Sequence, residues 1–187
     1  MVVPEMNLEF PFSSNLIMSA VSEERHRVRR SAGASSRSVS YGSSGSLKLR
    51  LKGDQANFLQ VTADGAALAV GLQHDSETVC FTFHTFNPST PYPEGNGVIV
   101  LESPLGGKFI KATGGSVSLV QGSSSDLMTV QAIDDRFFLL TNNPGDMHTR
   151  IKHIQSGLYL SSSPTGISLV PETNNDSVLY QMVPCNS

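Results

Sequence analysis

The chain has 187 residues, of which 39% are hydrophobic, enough for one domain with a sizeable core and an appendage. Charged residues make up only 16% and the net charge is −3, which argues against a general nucleic-acid binder, because such a protein carries a basic field. No apolar run reaches the ~18 residues that a membrane-spanning helix needs, so no membrane insertion is expected.

Residues 1–45 differ from the rest of the chain. Scattered apolar residues give way to Glu23-Glu24-Arg25-His26-Arg27-Val28-Arg29-Arg30, and then to a Ser-, Gly- and Ala-rich stretch from Ser31 to Ser46. Such a composition buries too little apolar surface to offset its chain entropy, so residues 1–45 are expected to form a disordered precursor or linker segment. Leu16–Val21 is too short for the core of an export signal and follows Glu5 and Glu9 instead of a basic region. The start therefore reads as leaderless. Arg27-Val28-Arg29-Arg30 has the Arg-x-Arg-Arg form cut by furin-type processing proteases, which makes Arg27, Arg29, Arg30 and Ser31 a candidate processing site. The alternative is a merely solubilising or nuclear-import-like basic patch.

From residue 46 to 187 the pattern changes. Leu47, Leu49 and Leu51 alternate with Lys48, Arg50 and Lys52, the signature of a strand with one face in a core. Further short runs follow: Phe58–Thr62, Ala67–Val70, Val79–Phe83, Val98–Leu101, Phe109–Ala112 and Val117–Val120. Leu127–Val130 and Phe137–Thr141 compete to be the next strand. Ile151–Ile154, Leu158–Ser161, Ile167–Val170 and Val178–Val183 complete the set. Gly, Pro, Asn, Asp and Ser separate the runs, and no long segment has a helical period, so the domain is all-β.

A threefold repeat narrows the architecture. Phe58-Leu59, Phe109-Ile110 and Tyr159-Leu160 each open a segment that passes through a Gly-containing turn and ends ten residues on at Leu68, Leu119 or Leu169. The aromatic residues lie 51 and 50 apart, as do Asp75, Asp126 and Asp176, while Leu51, Leu101 and Ile151 precede them at intervals of 50. Each unit reads as two hairpins that cannot bury an apolar face alone, and three units closing around a pseudo-threefold axis form a β-trefoil of three four-strand units. Phe58, Phe109 and Tyr159 are expected at equivalent positions in the barrel core, together with Leu68, Leu119 and Leu169. Asp64-Gly65 suits a tight hairpin with a positive φ.

No enzyme constellation emerges: there is no Gly-x-Ser-x-Gly elbow and no phosphate-binding glycine loop, so neither catalysis nor a cofactor is expected. His148 and His153, five apart, and His74 and His84, ten apart, lack Cys partners for a metal and read as turn and surface residues. Asp134-Asp135 reads as a solvated turn, and Ser161-Ser162-Ser163 as a strand end and turn. Phe81, Phe83 and Phe86 read as core or rim. Cys80 and Cys185 do not make a disulfide framework; two reduced thiols are expected, with a single bridge between them as the alternative.

Residues 46–187 resemble the interleukin-1 cytokine family. The resemblance rests on Gly97–Ala112, on Asp135-Arg136-Phe137-Phe138-Leu139, on Ile151–Ser163 and on the closing Asp176–Val183. It implies a leaderless cytosolic precursor, released without a signal peptide, that acts in immune and inflammatory signalling. The partners implied are the ectodomain of an immunoglobulin-like, interleukin-1-type receptor and an accessory chain, with the ligand itself a monomer. The segment Ile151-Lys152-His153-Ile154 departs from the family's Phe-x-Ser-Ala, and no Asp precedes Asp54, so an Asp-directed caspase has no site in the extension. Asn57–Gly65 and Ser156–Leu160 also resemble fibroblast growth factors, but heparin recognition needs clustered cations, and the last third has only Arg150 and Lys152 after Arg136. A non-signalling trefoil that binds glycans or actin is the third reading, though the chain has no Trp for a sugar platform. Asn175-Asp176-Ser177 is a glycosylation sequon that is expected to stay bare on a leaderless route.

Overall fold

The computed structural model describes residues 37–72, 76–95, 97–142, 146–163, 166–173 and 175–185. The disorder expected for the N-terminal segment lies largely outside these residues, as do Arg27, Arg29, Arg30 and Ser31 of the processing site, His74, and the repeat marker Asp75. Twelve strands are present among the described residues: β1 (Val39–Leu51), β2 (Asn57–Val61), β3 (Leu68–Leu72), β4 (Phe81–Pro88), β5 (Gly97–Glu102), β6 (Lys108–Thr113), β7 (Ser116–Gln121), β8 (Phe137–Asn142), β9 (Thr149–His153), β10 (Tyr159–Ser163), β11 (Gly166–Val170) and β12 (Tyr180–Pro184). Phe137–Thr141 wins the contest for the eighth strand. Leu127 instead ends a single helical turn, α1 (Ser124–Leu127), with Ser123 accepting from the Ser125 N–H at its start.

Six strands close a ring of antiparallel pairs: β1 with β4, β4 with β5, β5 with β8, β8 with β9, β9 with β12, and β12 back to β1. The other six form three hairpins, β2–β3, β6–β7 and β10–β11. This is a β-trefoil, and the ring disposes of the open sheet edges that an unclosed barrel would present. Glycines at positive φ turn the first two hairpins, Gly65 at 63° and Gly114 at 63°, and Gly166 at 143° opens β11 of the third.

The barrel interior draws on all three units at repeated positions. Leu51, Leu101 and Ile151 lie there, as do Leu59, Ile110 and Leu160, all buried. Tyr180 is fully buried among them, and its hydroxyl lies 2.6 Å from Ser162 Oγ. Burial raises the Tyr180 phenol far above its ordinary value. The Ser161-Ser162-Ser163 run is thus strand throughout, with Ser161 and Ser162 buried.

Phe58, Phe109 and Tyr159 are equivalent and buried, but they do not belong to the barrel core. Side chains alternate along a strand, so once Leu59, Ile110 and Leu160 point inward, the aromatic residue before each must point out. Of the three leucines, only Leu169 is buried in the core, while Leu68 and Leu119 are partly buried against it.

Two further expectations change. The domain starts earlier than residue 46: Val39–Gly45 is the first half of β1 and pairs with β4 from Val39↔Pro88 to Gly45↔Phe83, with an irregularity between Tyr41 and Ser44. Backbone hydrogen bonds hold this Ser- and Gly-rich stretch, and only Val39 and Tyr41 pack apolar side chains inward. The two cysteines are also bridged, with Cα atoms 6.0 Å apart. Barrel closure is the cause. Leu47 of β1 pairs with Phe81 on one edge and Pro184 on the other, which brings the residues next to these, Cys80 and Cys185, together across the strand.

Candidate functional site

Strands β4, β5 and β8 are buried on both faces. Phe81, Phe83, Ile99, Leu101 and Phe138 fill the barrel, while Phe86, Val98, Val100, Phe137 and Leu139 point the other way into a second cluster. An outer layer covers that second face: Val39 and Tyr41 of β1, Tyr92 from the β4–β5 loop, and Leu127, Val130 and Ile133 from the β7–β8 connection. The first half of β1 is strapped into this layer. The Val39 N–H donates to Gln131 O at 3.1 Å, and the Ser89 N–H donates to Ser38 O at 2.8 Å. The Arg37 guanidinium lies 4.1 Å from the centre of the Tyr92 ring.

A chain of buried polar groups runs beneath the strap. Tyr41 Oη lies 3.3 Å from His84 Nδ1, and His84 Nε2 lies 2.8 Å from Glu102 Oε2. Ser124 Oγ donates to the same carboxylate oxygen at 2.8 Å, and the Gly107 N–H donates to Oε1 at 3.1 Å. Burial opposes ionisation of Glu102, but the hydrogen bonds from His84, Ser124 and Gly107 outweigh it and hold the carboxyl below its ordinary value. Tyr, His, Glu and Ser here have the residue types of a hydrolytic site in the wrong order. The hydroxyl of Ser124 bonds the Glu102 carboxylate and not the His84 imidazole, so the groups do not line up as a hydroxyl–imidazole–carboxylate relay. Physically, the chain ties β1, β4, β5 and α1 together.

The other described histidines are also engaged. His148 Nδ1 lies 2.8 Å from Asp146 Oδ1, and His153 Nδ1 lies 2.9 Å from Ser156 Oγ. His153 is buried against Phe138, and burial pushes its imidazole below the ordinary value. It is therefore a core residue and not the surface or turn residue expected. Among the described residues, no three His, Cys, Asp or Glu side chains gather as metal ligands.

A cleft of roughly 270 Å³ opens on the outside of β6 and β7, lined by Lys111, Val120, Asp134, Asp135 and Arg136. Asp134 and Asp135 do form the turn before β8, but each is half-buried and occupied. Arg136 donates to Asp134 from Nε at 3.0 Å and from Nη2, while Lys111 Nζ stands 3.3 Å from Asp135. Burial opposes the Asp134 charge, yet the Arg136 hydrogen bonds lower its pKa overall, and the same contact raises that of Arg136. Two opposed ion pairs leave the cleft close to neutral, without the two free carboxylates that glycoside hydrolysis uses.

The three outward aromatics complete the surface. Each lies beneath a cation: Arg50 at 5.4 Å from the Phe58 ring, Arg136 at 5.8 Å from Phe109, and Lys152 at 5.7 Å from Tyr159. The residue paired across from each aromatic is Arg50, Glu102 and Lys152 in turn. The second unit thus places the buried Glu102 where the other two place a cation, and Arg136 reaches in from the β7–β8 connection instead. Sequence reading missed His84, Glu102 and Arg136 as one neighbourhood around Phe109. The available signal was a lone Glu102 closing the apolar run Gly97–Leu101.

No family model matches the chain, and no curated protein matches it significantly. Solved structures share its fold. A point mutant of Gallus interleukin-1 beta superposes with a TM-score of 0.60 at 14% identity, covering 77% of this chain and 98% of that one. SeviL bound to the asialo-GM1 saccharide gives 0.57 at 11% identity, covering 77% of this chain and 100% of that chain. A designed threefold-symmetric protein, ThreeFoil, gives 0.53 at 17% identity over 74% of this chain and 98% of its own. These likenesses show the fold.

Proposed function

We propose that this trefoil is an extracellular signalling ligand of the interleukin-1 type, which binds the ectodomain of an immunoglobulin-like receptor and carries out no catalysis. The observation that supports this reading best is the state of the surface. Every described aromatic side chain is at least partly buried, and the large apolar side chains that are exposed, Leu72, Leu105, Met128 and Met147, are aliphatic or thioether. A saccharide platform would therefore have only the partly covered Tyr41 and Tyr92 to stack on among the described residues. Four of the nine described Lys and Arg side chains are paired with carboxylates: Lys52 with Asp176, Lys111 with Asp135, Arg136 with Asp134, and Lys152 with Glu94. A sulfated polysaccharide needs cations free of such partners. What remains among the described residues is a mixed polar surface that carries a shallow cleft. That suits a face-to-face protein partner burying about 800 Å² on each side. The shared fold with Gallus interleukin-1 beta and the sequence resemblance over residues 46–187 point the same way.

Under this reading the precursor stays in the cytosol until release, and the ligand acts as a monomer joined by a receptor and an accessory chain. The exposed Asn175, whose side chain accepts the Ser177 N–H, then carries no sugar. The test is binding of the full chain to a panel of receptor ectodomains and to heparin. Receptor binding with heparin elution at low salt is expected. Salt-resistant heparin retention would favour a growth-factor-like ligand, and binding to glycans or actin filaments alone would overturn the signalling reading.

A further inference from the structure

We infer that the Cys80–Cys185 bridge is a conditional clamp on the first strand: the trefoil folds with both thiols reduced, and oxidation then locks β1 between its two neighbours. The inference does not depend on which partner the domain binds.

The placement of the bridge carries the argument. Strand β1 changes partner at Leu47. Before it, Val39–Ser46 pairs with β4, and after it, Lys48–Leu51 pairs with β12. Leu47 itself pairs with Phe81 and Pro184, and the two cysteines sit next to those residues. The bridge therefore straddles β1 at its changeover and joins the strands that form its slot. Separated by 105 residues, the cysteines close β4 to β12 into one covalent loop and leave β1, β2 and β3 outside it.

Two observations make the clamp conditional and not a requirement of folding. The end of the chain is held without it: β12 makes five register pairs with β1, and Val178, Leu179 and Tyr180 just before or within it are buried. Both cysteines are partly exposed, which gives a small thiol reagent an approach that does not require the whole barrel to open. The half of β1 that the bridge guards is also its weaker half, because Gly42–Ser46 is exposed and the pairing with β4 is irregular there.

The chemistry is thiol–disulfide exchange with a low-molecular-weight disulfide such as oxidised glutathione. One cysteine thiolate attacks the glutathione disulfide, forming a mixed disulfide and releasing one glutathione thiolate. The second cysteine thiolate then attacks the protein sulfur of that mixed disulfide and releases the other. The protein loses two electrons and two protons, and the oxidant becomes two thiols.

The experiment equilibrates the purified full chain in reducing and oxidising glutathione buffers. It reads free thiols by alkylation and mass, cooperative melting by circular dichroism, and amide exchange by mass spectrometry. Both forms should give the same strand content and one cooperative melt, with the oxidised midpoint higher by about 5–15 °C. Amides of Ser44–Leu51 should exchange at least about tenfold more slowly when bridged. Cys80→Ser and Cys185→Ser should each match the reduced wild type in both buffers. An unfolded reduced form would overturn the inference by making the bridge obligatory. So would thiols that stay fully alkylatable in the oxidising buffer, or exchange in β1 that does not respond to the bridge. The reduced wild type supplies these readings even if a serine variant fails to fold.

Discussion

The barrel interior and the layer outside β4, β5 and β8 are built from the same strands by opposite rules. Inside, the three units contribute alike, as Leu59, Ile110 and Leu160 show, and the contacts are almost wholly apolar. Outside, the layer belongs mainly to one unit, borrows the first half of β1, and buries a His–Glu pair that a partly buried tyrosine hydroxyl adjoins. The difference separates what specifies the fold from what individualises the protein. A repeated apolar position is enough to close a trefoil, whereas a buried carboxylate adds little net stability unless its partners are all in place. The outer layer is thus where this chain has departed from its own symmetry.

The largest expected effect comes from breaking the outer layer at its polar centre. His84→Ala leaves the buried Glu102 without its imidazole hydrogen-bond partner, and should cost about 3 kcal/mol in urea unfolding. Replacing His84 and Glu102 together by Leu should recover most of that loss. If His84→Ala proved neutral, the outer layer would not be the tightly coupled unit described. Next comes the strap. A chain starting at Arg37 should melt like the full chain, while one starting at Ser46 loses Val39 and Tyr41 and should be less stable by roughly 2–3 kcal/mol.

A smaller effect depends on pH. Burial depresses the His153 imidazole below its ordinary 6.5, so on acidification the unfolded chain takes up the proton first. The stability it confers is present above 6.5 and is lost as the pH falls through its folded value. His153→Leu should flatten the fall in stability on the acid side of 6.5, followed by thermal melts at stepped pH, whereas an unchanged slope would place its source elsewhere. The lowered Glu102 carboxyl acts in the same direction at lower pH, below its ordinary 4.5. The smallest effect belongs to surface charge. Lys52→Ala removes an exposed pair with Asp176 at 3.4 Å and should change stability by less than about 1 kcal/mol.

Much of the interior was legible in the sequence. Alternation at Leu47, Leu49 and Leu51 located a barrel strand, the 50-residue register located three units, and Asp64-Gly65 marked a hairpin that does turn at positive φ. The outer layer was not legible, for physical reasons. Phe58-Leu59 and its counterparts are adjacent apolar pairs, and in such a pair composition does not say which member faces inward. Val98–Leu101 and Phe137–Leu140 are unbroken apolar runs, a pattern that signals burial on both faces without naming the cover. That cover includes Val39–Gly45, whose Ser and Gly read as linker because its strand is held by backbone pairing. Cys80 and Cys185 meet only through ring closure, which no local pattern encodes. The site is correspondingly harder to read than the fold: His84, Glu102 and Arg136 are far apart in sequence and converge only around Phe109.

The most direct test of a symmetric interior beneath an asymmetric outer layer is a matched set of six unfolding measurements. Leu59→Ala, Ile110→Ala and Leu160→Ala probe the interior, and Phe58→Ala, Phe109→Ala and Tyr159→Ala probe the position before each. The interior trio should cost about 2–5 kcal/mol each and agree among themselves within roughly 1 kcal/mol. The outer trio should spread, with Phe109→Ala the costliest, because its ring is fully buried, lies 6.1 Å from the His84 ring, and packs so closely that a Cβ on Gly122 would sit 2.6 Å from it. Equal costs across the outer trio with a wide spread inside would contradict the account.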